Sequence, residues 1–124
     1  VYGLVACDAS GTLTYRKPIS GFELPRYSAA CPFWPLFAAL QRPMALISDE
    51  VSMAGRDEAR FEVQAFAEVS YPTGFEGPAL SEAWMLFRTR MGSDHPARRV
   101  GTSCRICPEV NCVGRREPSV FGDR

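Results

Sequence analysis

Phe61-Glu62-Val63-Gln64-Ala65-Phe66-Ala67-Glu68-Val69-Ser70 is the stretch whose pattern decides the fold. Phe61, Val63, Ala65, Ala67 and Val69 alternate with Glu62, Gln64, Glu68 and Ser70, and a period of two turns the first set inward and most of the second outward on a strand. Phe66 interrupts the polar face. Upstream, the apolar and β-branched residues from Met44 to Met53 predict a strand, and Ala54-Gly55-Arg56-Asp57 supplies the turn between the two. Downstream, Pro72, Gly74, Gly77 and Pro78 form a loop before the apolar run Ala83 to Phe87. That run is read as a central strand, with a buried helix as the alternative that so short a run leaves open.

Nearer the N-terminus, Tyr2 to Cys7 and Thr12 to Lys17 flank Asp8-Ala9-Ser10-Gly11 and predict a hairpin. Residues 18 to 32 carry Pro18, Gly21, Pro25 and Pro32, which discourage ladder and helix alike, so this segment reads as a loop. Pro35 suits the first turn of a helix, and Leu36, Phe37 and Leu40 share a face before Pro43 ends it. The expected fold is therefore α+β, an antiparallel sheet of about five strands with one short helix on a face, as in GAF-like and PAS-like domains.

The chain of 124 residues is 46% hydrophobic and 23% charged, which suits one soluble domain with a real core. No apolar run is long enough to span a bilayer, and residues 1 to 15 lack the form of a secretory signal, so no membrane partner and a cytoplasmic location are expected. The immediate start of an apolar strand at Val1 reads as a piece of a longer polypeptide. Residues 1–87 hold 6 Lys/Arg against 10 Asp/Glu, and residues 88–124 hold 8 against 4. A basic C-terminal stretch of this modest charge gives no support for direct nucleic-acid binding.

Beyond Arg90 the amphipathic period ends, and apolar burial alone does not offset the entropy of ordering so Gly-, Pro- and Arg-rich a tail. Cys104-Arg105-Ile106-Cys107-Pro108-Glu109-Val110-Asn111-Cys112 places three thiols in the spacing C-x-x-C-x-x-x-x-C, where the first pair can chelate one ion. Cys31, before Phe33-Trp34 and the start of the short helix, reads as the fourth ligand, its thiolate favoured by the helix start. Arg98, Arg99, Arg105, Arg115 and Arg116 would offset the charge of such a centre. The division is thus a body, 1–90, and a cysteine-rich, metal-clipped tail, 91–124. A thioredoxin-like pair is the competing reading of Cys104 and Cys107, and a small buried hydrophobe that of Cys31. Cys7 reads as core and His95 as a reserve ligand. A triad of Ser93, Asp94 and His95 would need diverging side chains to converge, no phosphate-cradling glycine motif occurs, and Asp49-Glu50 and Asp57-Glu58 read as solvated turn charges. No catalytic residue is assigned.

Ala30-Cys31-Pro32-Phe33-Trp34-Pro35, together with Gly101-x-x-Cys104-x-x-Cys107-x-x-x-x-Cys112-x-x-Arg115-x-x-Pro118 and the opening Cys7-Asp8-x-Ser10-Gly11, resembles the C-terminal domain of the short-chain fatty acyl transcriptional regulators, a bacterial family. Gly114 and Arg116 stand where the family's last motif often has Gln and Ala. The resemblance implies an upstream helix-turn-helix, a short-chain acyl-coenzyme A effector, and an iron-sulfur centre on Cys31, Cys104, Cys107 and Cys112. Phe33 and Trp34 would then line an acyl cavity and Arg105 meet a phosphate. The expected function is a ligand- and metal-responsive regulatory domain, compatible with a homo-oligomer. A zinc-stapled interaction module and a thiol or iron-sulfur redox protein are the alternatives, since thiolate tetrads accept zinc as well as iron.

Overall fold

A computed structural model describes residues 1–26, 28–55, 59–91 and 96–121. The elements in chain order are β1 (Gly3–Asp8), β2 (Leu13–Lys17), α1 (Pro35–Gln41), β3 (Ile47–Met53), β4 (Arg60–Ser70), β5 (Leu80–Thr89), β6 (Arg98–Val100) and a 3-10 turn at Cys104–Ile106. They form one six-stranded sheet in the order β2-β1-β5-β4-β3-β6, so the fold is a mostly-sheet α+β arrangement.

The alternation in β4 is realised from Phe61 to Ala67, whereas Val69, read as inward, is exposed near the end of the strand. Phe61, Val63, Ala65 and Ala67 are buried, and β5 matches them with Ala83, Met85 and Phe87. β5 runs beyond both ends of the predicted segment and pairs antiparallel with β4 from Phe61↔Thr89 to Ser70↔Leu80, which settles it as a strand. Its other edge pairs with β1, Gly3 opposite Phe87 through Asp8 opposite Glu82, so the β1–β2 hairpin joins the sheet through β1 and leaves β2 at the edge. Gly3 is required there, because a Cβ on it would enter the Phe87 ring. The β1–β2 turn is shaped by Asp8, whose Oδ1 accepts from the Ser10 hydroxyl at 2.6 Å and from the main-chain N–H groups of Ser10 at 2.9 Å and Thr12 at 3.2 Å. These donors, the Ser10 hydroxyl foremost, hold its carboxyl below the usual range.

Helix α1 starts with Pro35 in its first turn and buries Leu36 and Ala39 against the sheet. Between helix and sheet sits Phe22, whose ring centroid lies 5.4 Å from Trp34, 5.1 Å from Phe61 and 4.4 Å from Phe87. A residue of the Pro- and Gly-rich loop is thus the hub of the core.

Three expectations are corrected. The sheet has six strands rather than about five and is mixed, because Arg98–Val100 adds a parallel strand against Val51–Met53. Asp49 and Glu50 lie in β3 rather than in a turn, and they pair with Arg98 at 3.7 Å and Arg60 at 3.1 Å. The tail does not depend on a metal alone to settle, since β6 and several hydrogen bonds described below fasten it. Asp57, Glu58, Ser93, Asp94 and His95 lie outside the described residues.

Candidate functional site

The loop before α1 and the start of the tail are joined by two hydrogen bonds that bring residues about 70 positions apart together. The Cys31 N–H donates to the Thr102 carbonyl at 3.0 Å, and Trp34 Nε1 donates to the Gly101 carbonyl at 2.6 Å. Trp34 is 1% exposed, so this donor is buried and its partner is obligatory. Cys31 is thereby set beside the 3-10 turn that starts at Cys104, close enough that Cys107 and Cys104 act electrostatically on its thiol. Burial is the largest influence and pushes the Cys31 thiol up, while main-chain N–H groups of Gly101 and Phe33 act in the opposite direction. The expected lowering by the helix start is therefore overruled by desolvation.

On the tail side, Cys104 Sγ accepts the Arg116 N–H at 3.4 Å and lies 4.0 Å from the Gly114 carbonyl. Cys107 Sγ stands over Gly101, where a Cβ would meet it at 3.0 Å. Cys112, half-buried, accepts the Arg115 N–H on its carbonyl at 3.2 Å. The organiser of this loop is Arg115. Its Nη1 donates to the carbonyls of Cys104 at 2.9 Å and Glu117 at 3.3 Å, and its Nη2 to those of Cys107 at 3.2 Å and Glu109 at 2.7 Å. A planar fork of donors suits such a ring of carbonyls, and it leaves a positive charge next to the thiols. The motif reading assigned Arg115 only a share of counter-charge. Nothing in a sequence marks a side chain that binds main-chain oxygens.

The other arginines have separate tasks. Arg98 pairs with Asp49 and Arg99 with Glu109. The Arg116 guanidinium donates to the Ala30 carbonyl, next to Cys31. Among the described residues, no three histidine, cysteine or acidic side chains are gathered tightly enough to hold a metal ion. The structure thus brings Cys31, Cys104 and Cys107 into one neighbourhood with Cys112 in the adjoining loop.

Beside this region opens a cleft of about 600 Å³ between the β1–β2 turn, the loop before α1 and α1 itself. Leu13, Phe37 and Leu40 give it an apolar floor, and Arg16, Arg26 and Arg116 supply cationic groups. Ala30, Pro32 and Arg116 belong both to its wall and to the surroundings of the thiols. Phe33, Trp34 and Arg105 do not line it. Trp34 is core, and Phe33 packs where a Cβ on Gly114 would meet its ring at 2.8 Å. Arg105 is exposed, and its carbonyl accepts the Val120 N–H at 2.7 Å. Sequence reasoning missed Arg16 and Arg26, since neither stands in a motif. Cys7 is fully buried, as read, and burial followed by the nearby Asp8 charge pushes its thiol up to about 11.

The chain is similar to a propionyl-CoA carboxylase regulator of Cereibacter sphaeroides, 26% identical over 126 aligned positions that cover 92% of this chain and 27% of that protein. Its fold matches that of a Mycobacterium tuberculosis transcriptional regulator with a TM-score of 0.81 at 20% identity, over 98% of this chain and 40% of the other. The chain therefore spans well under half the length of either relative. No helix among the described residues is long and apolar enough to cross a membrane. The family model described as short-chain fatty acyl coenzyme A regulator, C-terminal, matches residues 2–123, and the chain belongs to that family of regulators.

Proposed function

We propose that this chain is the effector domain of a longer transcriptional regulator, that it takes a short-chain acyl-coenzyme A in the arginine-rimmed cleft, and that Cys31, Cys104, Cys107 and Cys112 hold an iron-sulfur cluster or a zinc ion. The cleft carries this reading. Its volume is that of a small-molecule site, its floor suits a short acyl chain, and Arg16, Arg26 and Arg116 suit the phosphates of a coenzyme. A helix on one face of a mostly antiparallel sheet supports a sensory domain of the GAF or PAS kind. The DNA-binding function would reside in the part of a longer chain that precedes this domain.

The thiol region fits the metal in its donor chemistry. Four thiols, three of them drawn to one neighbourhood, lie beside the Arg115 charge that would offset an anionic centre. Loading would draw the side chains closer together, since among the described residues no three are gathered tightly enough to hold an ion. The bound group would supply either an oxidation-sensitive centre or a fixed staple. This chain's own residues supply the shared wall of Ala30–Pro32 and Arg116, through which occupation of either site would be felt at the other.

Two measurements test the reading. Acetyl-, propionyl- and butyryl-coenzyme A are titrated calorimetrically into the chain, and at about 100 times its Kd a true ligand raises stability by about 2.7 kcal/mol. Arg26→Ala should weaken that binding about tenfold or more, and no binding of any of the three would remove the acyl effector from the proposal. Anaerobically purified protein is analysed for iron, sulfide and zinc with its absorption spectrum. Brown protein that loses its colour in Cys31→Ser supports the cluster, colourless stoichiometric zinc supports the staple, and protein without either metal excludes the four-thiol site.

A further inference from the structure

The cleft between the β1–β2 hairpin, the loop before α1 and α1 itself is lined by three arginines and no acidic side chain. What these arginines bind is informative. Arg16 Nε donates to the Pro25 carbonyl at 3.0 Å, and the Arg116 guanidinium donates to the Ala30 carbonyl. A main-chain oxygen holds a guanidinium in place without neutralising it. Arg26 is exposed, and among the described residues none of the three is paired with a carboxylate, whereas Arg88, Arg90, Arg98 and Arg99 elsewhere on the chain all are.

Arg16 owes its place to a β-bulge. It lies opposite Val5, Tyr15 lies opposite Ala6, and Leu13 lies opposite Cys7, so Thr14 is the extra residue. Val5 and Cys7 share the face of β1 that belongs to the core. The bulge therefore turns Leu13 and Arg16 to one face, although a regular strand would send residues three positions apart to opposite faces. The edge strand is irregular at the point that brings a cation onto the cleft. The cations also stand in two places. Arg16 is tied to Pro25, and Arg26 follows Pro25 in the chain, while Arg116 is tied further along the same loop, at Ala30. Like charges gathered without a counter-charge repel, and an anion between them removes that cost.

Resting on the reading of this cleft as a coenzyme A site, we propose that it holds two separate phosphate subsites. Arg16 with Arg26 takes the diphosphate, and Arg116 takes the single phosphate on the ribose. Two guanidiniums suit two linked phosphoryl groups, and one suits the lone group. The apolar floor of Leu13, Phe37 and Leu40 is left to the acyl chain. The ligand class follows from the two subsites. It is a complete acyl-coenzyme A, ribose phosphate included, and not an acyl group carried on a phosphopantetheine arm, which lacks that phosphate and the nucleotide.

The test is a calorimetric titration of three ligands: butyryl-coenzyme A, the same molecule without its ribose phosphate, and butyryl-phosphopantetheine. In the unaltered chain Kd should rise about tenfold or more at the loss of the ribose phosphate, and again at the loss of the nucleotide. Arg116→Gln should weaken butyryl-coenzyme A about tenfold or more and bind the first two ligands alike. Arg26→Gln should weaken both of these and still tell them apart. Arg42→Gln removes an exposed charge outside the cleft and should change Kd by less than about twofold. Circular dichroism establishes that each variant is folded, and if Arg116→Gln is not, the ligand series on the unaltered chain and Arg26→Gln carry the test. Equal binding of the first two ligands by the unaltered chain overturns the two subsites while leaving the coenzyme cleft standing. So does an Arg42→Gln loss as large as that of Arg26→Gln, or an Arg26→Gln chain indifferent to the ribose phosphate. No binding of any of the three overturns the reading of the cleft and the subsites with it.

Discussion

The body and the tail of this chain are held by different physics. Between α1 and the sheet, Phe22, Trp34, Phe61 and Phe87 interlock with Val5, Val51, Val63 and Met85, all essentially inaccessible to solvent. The tail buries few large side chains. Its order comes from a buried indole N–H on Gly101, the Cys31 N–H on Thr102, three residues of parallel strand and the carbonyl ring around Arg115. Apolar packing is non-directional and cooperative, so the body should open as a unit. Hydrogen-bonded loops open locally, so the tail should exchange through openings of its own that cost less than unfolding the body.

The sharpest way to break that contrast is at the hub. Phe22→Ala removes a ring that touches Trp34, Phe61 and Phe87, and should cost about 3 to 5 kcal/mol, read as a lower denaturant midpoint for the whole chain. If instead only the tail lost protection, the hub would not be the centre of one cooperative core.

Arg115→Gln is the matching change in the tail. It removes the guanidinium from four carbonyls, and local opening of residues 104–117 should become easier by about 2 to 3 kcal/mol. Amide exchange there should quicken by about 30-fold or more, while β4 and β5 keep their protection. A fall in the global midpoint as large as that of Phe22→Ala would merge the two regions into one.

The same division governs what the sequence disclosed. Phe61 to Val69 announced β4 because a half-buried strand must alternate, and Pro35 with Leu36 announced α1 because a fixed φ and an apolar face are local properties. Phe22 gave no such sign. A single aromatic in a loop has no period, and its value comes from three rings contributed by α1's N-terminal flank, β4 and β5. β6 escaped for a related reason, since three residues are too few for a pattern and its partner strand lies 45 or more positions upstream. In the candidate site, the closeness of Cys104 and Cys107 was legible because they stand three positions apart along the chain. The cleft was not, since Arg16, Arg26 and Arg116 meet only once the hairpin, the loop and the tail are folded together.

A smaller effect separates the buried thiol of the body from those of the tail. Burial raises Cys7 from an ordinary 9.0 to about 11, so the folded chain holds its proton where the unfolded chain has released it. Stability from this group is complete below pH 9 and is lost as pH rises toward 11, by about 2 kcal/mol. Denaturation between pH 8 and 11 should show that slope, and Cys7→Ala should flatten it at the cost of a lower overall midpoint. An unchanged slope in the variant would assign the titration elsewhere.

The smallest change tests whether the two regions touch through the thiols themselves. Gly101 sits between them, its carbonyl bound by the Trp34 indole of the body and its Cα beneath Cys107 of the tail. A Cβ added there would lie 3.0 Å from Cys107 Sγ and 3.2 Å from Cys107 Cβ, and Gly101 has no positive φ, so any cost of Gly101→Ala comes from that contact rather than from backbone strain. The expected loss is about 1 kcal/mol. Cys107→Ala removes the sulfur and the nearer of the two clashes, so the double variant should recover about half of the Gly101→Ala loss, a coupling that a thermodynamic cycle measures directly. Strict additivity would mean that the Cys107 sulfur does not press on the junction. The thiol loop would then hang on the body through the Cys31 and Trp34 hydrogen bonds, the Arg116 contact with Ala30 and the packing of Gly114 against Phe33.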